Sequence, residues 1–360
     1  MDFRYISSHH DKQMFLKFTK QVYKNDPRYR DSMSGICSMF LFAKTSYLKH
    51  GKFYPFLMEE GGKIIARGAF INDNKQKDIL MLSFLETLPK GQKIMDLILE
   101  EGRKLAKEAN RKKIIIGLDG HLNYGLGFLA SHFNCRPTFG FSYNPPYYME
   151  YLRNLKEYNF TSFMVDLSKF ALSKEMKILE RIKKRGFSFR TADFKKFRRE
   201  IGIYTWLNNE CFRDHLWWAE RTTEEDEELL NPFRWFIKGE NLIIAEKDGY
   251  PIGLLLWYPD FNQIIPAGKE ISFKTLISYR LGAKIDRFKI AEIAVLPQYR
   301  GSGIAVGFFE ILANLVGDKY KYCEAGWIEE SNLPSKGLGI RWQELGCEQY
   351  KRYKAFEVQV

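Results

Sequence analysis

The sequence lacks the long apolar segments and paired cysteines that would assign it to a membrane or disulfide-rich class. No window approaches the ~18 apolar residues of a membrane-spanning helix, and the N-terminus MDFRYISSHHDK is charged where a signal peptide would be apolar. The five cysteines are an odd number, and the nearest two, Cys323 and Cys347, are 24 residues apart. No CxxC metal site or disulfide framework is therefore encoded. We expect a soluble, cytoplasmic protein with reduced, buried thiols.

Composition indicates a globular protein of more than one domain. Of the 360 residues, 45% are hydrophobic and 16% are aromatic, which is too rich in core-forming side chains for a disordered chain. A chain of this length favours two domains, since a domain holds about 100 to 200 residues. The net charge of +12 at pH 7 permits an anionic partner but identifies none.

The same succession of strands and helices occurs twice. Corresponding landmarks lie 209, 208 and 212 residues apart, namely Ile79 and Phe288, Ile114 and Tyr322, and Cys135 and Cys347. This spacing predicts an internal repeat of about 200 residues. We expect an α/β (α+β) protein of two tandem domains, each a mixed central sheet flanked by helices. The predicted ranges are 1–142 for the first domain, 143–186 for a connecting turn, helix and strand, and 187–360 for the second domain.

Strand and helix periodicities place the elements of each copy. In the first copy they predict helices over 11–23 and 94–109 and strands over 64–70, 78–85 and 113–118, and in the connection a helix over 149–157. In the second copy they predict helices over 193–211, over 223–237 and from Gly303 onward, and strands over 252–258, 287–295, 320–327 and 350–358. A short helix should end at Leu345-Gly346. The second copy also contains an insertion within Asp260–Arg287, which predicts a surface segment.

A glycine-containing loop in the second copy has the features of an anion-binding site. The strand ending at Val295 runs into LPQYRGSGIA, and the following helix has apolar residues at i, i+4, i+7, i+8 and i+11, namely Ile304, Phe308, Ile311, Leu312 and Leu315. A helix start offers unpaired amides and the positive end of the helix dipole to an anion. Glycines at 301 and 303 would let a diphosphate approach those amides, because a Cβ would block it.

Arg300, Gly303 and Ala305 match the [QR]xxGx[GA] signature of the GNAT superfamily of N-acyltransferases. Val-Leu-Pro precedes them, as Val-x-Pro commonly does in that family. Asn332 after the next strand and the segment Leu345–Cys347 resemble the family's last motif. The whole chain is similar to two-copy GNAT-like bacterial proteins.

The resemblance implies that strands 287–295 and 320–327 diverge and that acetyl-CoA or another acyl-CoA binds between them, without a metal. The diphosphate would lie on the loop amides, and the pantetheine would bond to the strand backbone and to Asn332. That backbone would also polarise the thioester carbonyl. The cofactor-binding residues so implied are Ile293, Ala294, Val295, Arg300, Gly301, Ser302, Gly303, Ile304, Ala305 and Asn332.

Aminolysis of a thioester needs a neutral amine, and hence a base within reach of the acceptor nitrogen. Glu292 is the only charged residue between Ala291 and Gln298, and burial would raise its pKa toward that of a useful base. Many related enzymes use a glutamate on this strand in that role. The alternative is a structural carboxylate neutralised by a basic neighbour.

One position departs from the family pattern. The resemblance implies a tyrosine general acid where this chain has Trp342. An indole N–H cannot give up its proton at neutral pH, so Tyr350 or water would have to replace the acid, or catalysis would be slow or lost.

We expect the second domain to transfer an acyl group to a primary amine of a small-molecule or peptide acceptor, with no nucleic acid as partner. At the corresponding position the first copy reads Glu86-Thr-Leu-Pro-Lys-Gly-Gln-Lys and lacks the signature. It is therefore predicted to have lost its CoA site and to be structural or to shape the acceptor cleft. The alternatives are a Fem-type aminoacyltransferase using charged tRNA, which has no need of the intact loop, and a non-catalytic module binding CoA or a protein partner, which Trp342 favours.

Three further features have structural interpretations that we prefer. The acidic run from Thr222 to Glu228 could bind a cationic acceptor, but Thr222 and Glu225 form a capping-box pattern. The basic run from Arg181 to Arg199 could bind nucleic acid, but its phenylalanines have core spacing, which indicates a solvated basic face. His121, in a polar loop, is interpreted as a loop residue rather than a ligand or base.

Overall fold

The computed structural model describes residues 1–169, 172, 175–332, 337, 339–340 and 346–360. They cluster into two units. The first comprises Met1–Phe160, Ile265–Ser272 and Lys351–Val360, and the second comprises Thr161–Ile264 and Phe273–Tyr350. The expected fold class, mixed sheets flanked by helices, is confirmed. The C-terminal segment of the chain thus lies in the first unit.

The first unit contains a mixed sheet with strand order β1-β2-β3-β4-β5-β13. Neighbouring strands are antiparallel except β4 and β5, which are parallel. Its elements are β1 (Asp2–Tyr5), α1 (His9–Lys17), α2 (Thr19–Val22), α3 (Ser34–Leu41), β2 (Gly51–Glu60), β3 (Lys63–Asp73), β4 (Ile79–Thr87), α4 (Lys93–Glu108), β5 (Lys113–Ile116), β6 (Phe128–Leu129), α5 (Tyr148–Leu152) and, from Lys351 onward, β13 (Cys347–Gln359).

Helix α4 forms because its apolar residues recur with helical period and bury one face. Ile94, Ile98 and Leu99 lie in the core of the first unit. The helix approaches the sheet closely at Gly102, where a Cβ atom would lie 2.8 Å from the Phe70 ring and 3.0 Å from the Ile114 side chain. Glycine at this position therefore allows α4 to pack close to the sheet.

The second unit contains a sheet with strand order β8-β9-β10-β11-β12-β7. The first four strands pair in antiparallel fashion, and β11 and β12 are parallel. Its elements are α6 (Met176–Lys184), β8 (Phe187–Thr191), α7 (Phe197–Phe212), α8 (Thr223–Leu230), β9 (Leu242–Lys247), β10 (Tyr250–Pro259), α9 (Phe273–Arg280), β11 (Arg287–Val295), α10 (Ile304–Val316) and β12 (Tyr322–Glu329), while β7 (Lys156–Asp166) enters it at Thr161.

Most predicted elements are present, and two details were wrong. The helix expected over 149–157 ends at Leu152, and β7 begins at Lys156 because the β-favouring sequence there joins a sheet. In α10, Leu315 is exposed, whereas Val306 and Val316 are buried. The helix expected before Gly346 falls on residues that are largely outside the described ranges.

No described helix is long and apolar enough to cross a membrane. Within the same ranges, no group of three His, Cys, Asp or Glu side chains is arranged to hold a metal ion. All five cysteines are free thiols, and Cys135 is the one that is not fully buried.

Candidate functional site

In the second unit two parallel strands begin as neighbours and then separate. Residues Arg287–Ile290 of β11 pair with Tyr322–Ala325 of β12. Beyond these pairs β11 continues to Val295 and β12 to Glu329, all within the described residues, without further pairing between the two strands. The stretch Ile293–Val295 of β11 is therefore not paired with β12, as expected for strands that diverge.

A β-bulge lies at the point where the strands separate. The pairing of β10 with β11 shifts between Leu256 and Trp257, so that Glu292 and Ile290 lie opposite them and Ala291 is the extra residue. A bulge bends the strand and turns its side chains and amides relative to the sheet. It places Glu292 next to α7.

The loop at the carboxyl end of β11 presents unpaired backbone amides. Gly301 and Gly303 have φ angles of 73° and 94°, and Gly303 begins α10 without a side-chain cap. Among the described residues, no acceptor bonds the amides of Gly301, Gly303, Ile304 or Ala305. Together with the dipole of a 13-residue helix, these amides can bind an anion such as a diphosphate.

Helix α6 limits what can occupy position 303. A Cβ there would lie 2.5 Å from Ile178 Cγ2 and 3.4 Å from Ile182 Cδ1. The left-handed backbone of Gly303 adds strain for any side chain. Gly301, in contrast, has open space around it, so the loop is accessible there.

The Arg300 side chain stabilises the loop by donating two hydrogen bonds to backbone carbonyl oxygens. Its Nη2 donates to the carbonyl oxygen of Cys211 at 2.6 Å, and its Nε donates to the carbonyl oxygen of Val295 at 3.3 Å. These bonds connect the end of α7 to the end of β11. The Ser302 hydroxyl donates to the carbonyl oxygen of Tyr299, which closes the turn before the helix.

Glu292 lies in a buried environment that suits a group acting as an acid or a base. Its Oε1 accepts a hydrogen bond from the Tyr204 hydroxyl at 2.6 Å, and its Oε2 is buried without a bonded partner. Burial raises the pKa of Glu292 to about 7; Asp226 adds to the rise, whereas Tyr204, Asn208 and Arg221 oppose it. A carboxyl group with this pKa can accept a proton near neutral pH.

The alternative of a carboxylate neutralised by a basic partner is not what the structure shows. No ion pair involves Glu292 in the part of the chain that the structure describes. The buried guanidinium of Arg221 pairs instead with Asp226, at 2.6 Å. The Lys289 ammonium lies over the Trp327 ring, 4.8 Å from its centroid.

Asn332 lies in the turn that follows β12. Its backbone amide donates to the carbonyl oxygen of Glu329 at 2.9 Å. Because β11 and β12 are parallel, this turn and the loop 300–305 lie at the same end of the two strands. Trp342, the departure from the expected acid, lies outside the described residues.

In the first unit, β4 and β5 separate at the corresponding position, and side chains of that unit bond the backbone there. Parallel pairing of β4 with β5 ends at Leu82 and Ile116. Beyond it, Asp119 Oδ1 accepts the Phe84 amide at 2.7 Å, and the Ser83 hydroxyl donates to the Leu118 carbonyl oxygen at 2.6 Å. The backbone positions that β11 leaves open are therefore bonded in this unit.

The acidic run is confirmed as a helix cap. Thr222 Oγ1 accepts the Glu225 amide, and Glu225 Oε2 accepts the Thr222 amide at 2.6 Å, which is a complete capping box. Asp226 is buried in its pair with Arg221. These acids stabilise the start of α8.

The basic run has the expected phenylalanine packing. Phe187 and Phe189 pack against the core of the second unit, and the Phe194 and Phe197 rings meet edge to face at 5.3 Å. Most of the basic side chains between them are exposed. In the first unit, His121 Nδ1 accepts the Asn123 amide at 3.1 Å and the ring is buried, so it stabilises a loop.

Sequence reasoning missed the residues of α7 that act on Glu292. Neither Tyr204, which donates to its carboxyl group, nor Asn208, which opposes the rise of its pKa, was singled out. The available signal was the i, i+4 spacing of these polar residues on a helix face that is otherwise buried.

Comparisons with known proteins agree on the fold. No family model matches the chain. Protein YghO of Escherichia coli (strain K12) is 20% identical over 97% of this chain and 93% of that protein. A tandem GNAT protein from the clavulanic acid biosynthesis pathway has a TM-score of 0.55 at 12% identity and covers 99% of this chain and 98% of its own.

A second solved structure is larger than this chain. It is a GCN5-related glucosamine N-acetyltransferase region in a fungal multi-domain GH3 β-N-acetylglucosaminidase, with a TM-score of 0.55 at 12% identity, and the match covers 99% of this chain. This chain spans 38% of that protein's length. The order of strands and helices in the two units and these similarities lead to one conclusion: the chain has the tandem GNAT fold.

Proposed function

We propose that the second unit is an acyl-CoA-dependent N-acyltransferase that acylates a primary amine of a small-molecule or peptide acceptor, with acetyl-CoA as the simplest donor. The observation that carries the proposal is the set of unpaired amides of Gly301, Gly303, Ile304 and Ala305 at the start of α10. A bound acyl-CoA would supply an activated acyl thioester.

The residues of the second unit fit a bound acyl-CoA. The amides of Gly301, Gly303, Ile304 and Ala305 would hold the diphosphate, and the backbone of Ile293–Val295, which is not paired with β12, would bond the pantetheine and polarise the thioester carbonyl. Asn332 would add a polar contact at the same end of the strands. Arg300 would keep the loop in place through its two carbonyl partners.

Glu292 would take the proton of the acceptor amine. A pKa of about 7 makes it a base that is half ionised at neutral pH, and the unbonded Oε2 is the atom able to accept the proton. Tyr204 would hold the carboxyl group through Oε1. The first unit would not bind acyl-CoA, because Asp119 bonds the β4 backbone at Phe84 and the Ser83 hydroxyl bonds the Leu118 carbonyl oxygen across the separation.

The test is isothermal titration of the full chain with acetyl-CoA, comparing wild type with Ala305→Asp and Ala305→Asn. Ala305 is the second residue of α10 and is partly exposed. Aspartate there suits the helix dipole but repels the diphosphate, and asparagine has the same shape without the charge. We expect one site per chain, affinity lost in Ala305→Asp and largely kept in Ala305→Asn.

The same titration can refute the proposal. Absence of binding by wild type, or equal affinity of wild type and Ala305→Asp, would show that the loop is not the diphosphate site. Two equivalent sites per chain would contradict the closed strand separation of the first unit.

A further inference from the structure

The insertion that distinguishes the second copy carries a helix with an exposed apolar side. Phe273, Ile277 and Leu281 are 74%, 44% and 83% exposed. They are spaced i, i+4 and i+8, and Leu281 continues the last turn because its amide bonds the Ile277 carbonyl oxygen. Their side chains therefore lie on one side of α9. Contiguous exposed apolar side chains mark an interaction surface.

An exposed tryptophan adjoins this helix. Trp235 is 58% exposed, and its carbonyl oxygen accepts a hydrogen bond from Arg280 Nη2 at 3.5 Å. The Arg234 guanidinium lies 4.8 Å from the centre of the Trp235 ring. We define the α9 patch as Phe273, Ile277, Leu281 and Trp235.

The charges around the α9 patch are mainly basic. The segment 273–285 contains Lys274, Arg280 and Lys284 and no acidic residue. All three side chains are exposed. The Lys319 ammonium lies 5.7 Å from the centre of the Tyr279 ring of α9, and Arg234 adds positive charge beside Trp235, whereas Glu240 contributes a negative charge that acts on Tyr279.

This chemistry fits one kind of partner better than others. Protein interfaces are depleted in lysine, whereas apolar side chains with tryptophan and flanking Lys and Arg are typical of helices that lie in the interface of an anionic bilayer. We propose that the α9 patch binds the surface of an anionic phospholipid membrane.

The proposed membrane contact is separate from the proposed acyl-CoA site. The insertion leads into the start of β11, and the loop 300–305 follows its other end. Nine residues of β11 span roughly 30 Å at ~3.3 Å per residue. Binding through α9 therefore leaves the loop accessible, and failure of one proposal would not entail failure of the other.

The experiment is co-sedimentation of the full chain with vesicles of phosphatidylcholine alone or of phosphatidylcholine with phosphatidylglycerol. We expect binding to the anionic vesicles, weakened by salt, and little binding to the neutral ones. The double variant Phe273→Ser/Leu281→Ser should bind at least about tenfold more weakly, because two large apolar side chains no longer insert. Lys274→Glu/Lys284→Glu should have a similar effect through charge.

The matched control is Tyr250→Ser. Tyr250 is as exposed as Phe273, at 74%, but is the first residue of β10, outside the α9 patch, so this variant should bind like wild type. Failure of wild type to bind anionic vesicles would overturn the proposal, as would equal losses in Tyr250→Ser and the double variant. A shift in oligomeric state of the double variant without vesicle binding by wild type would instead assign the patch to a protein interface.

Discussion

Replacing Glu292 with glutamine tests whether the carboxyl group of this residue is catalytic or only buried. Burial raises the pKa of Glu292 from 4.5 to about 7, which corresponds to roughly 3 kcal/mol at 1.36 kcal/mol per unit. The folded protein keeps this proton up to about pH 7, whereas an exposed glutamate loses it near its ordinary value. Between these values the folded state binds more protons, so the stability contributed by the group falls as pH rises.

We expect Glu292→Gln to raise the stability of the protein at high pH and to lower its transfer rate. Above pH 7 the variant should be more stable than wild type by up to about 3 kcal/mol, with little difference below pH 4.5, as measured by denaturant unfolding across pH. Release of CoA thiol from acetyl-CoA in the presence of a primary amine should fall by about 10²- to 10⁴-fold, because the base is lost.

Tyr204→Phe tests whether the acid limb of the pH–rate profile belongs to Glu292. Tyr204 donates to the carboxylate and opposes the rise of its pKa. Removing the hydroxyl should move the acid limb to higher pH, whereas protonation of the acceptor amine would be unaffected. A full rate in Glu292→Gln, or an acid limb that stays in place in Tyr204→Phe, would refute the assignment of the base.

Two predictions concern the first unit. Glu86 accepts hydrogen bonds from Tyr23 and Tyr148, and burial raises its pKa to about 7; Glu86→Gln should therefore gain stability above pH 7, as Glu292→Gln does, while the transfer rate stays unchanged, and a lost rate would place this unit in the chemistry. Gly102→Ala should lower stability by about 1–3 kcal/mol through overpacking against Phe70, which a reduced denaturation midpoint would show and an unchanged midpoint would contradict.

The sequence predicted the parts of the site that depend on local pattern. The change from strand period to helix period around Gly301 and Gly303 located the loop, and the start of α10 follows it directly. Glu292, the only charged residue between Ala291 and Gln298, was identified as a buried carboxyl candidate. Both signals are contained in one continuous stretch, 291–315, so no tertiary information was needed.

Features that depend on long-range packing could not be predicted. The contact of Ile178 with Gly303 joins residues 125 positions apart, and no periodicity reports it. The same holds for the bond from Tyr204 to Glu292 and for the placement of Lys351–Val360 in the first unit. The strand 350–358 was visible as an alternating pattern, but its pairing with β5 was not.

The two copies differ in what bonds the backbone at the strand separation. Both have an irregularity in the preceding strand: Ala291 is the extra residue in β11, and the register of β4 shifts at Phe84–Leu85, opposite Gly68 of β3. In the first unit the carboxylate of Asp119 bonds the Phe84 amide, and burial raises the pKa of Asp119 to about 6.

A buried carboxylate with a raised pKa costs stability that a neutral side chain would not. The hydrogen bond that Asp119 accepts from the Phe84 amide offsets part of this cost. The amide it satisfies would otherwise be a buried, unpaired donor once no ligand enters. Under the proposed function, the lack of the glycine signature after β4 and the bond from Asp119 go together: a copy that has no anion to bind would bond its strand backbone internally. In the second unit the amides of Gly301, Gly303, Ile304 and Ala305 are unbonded and Ile293–Val295 is not paired with β12, so this backbone remains available to the proposed ligand.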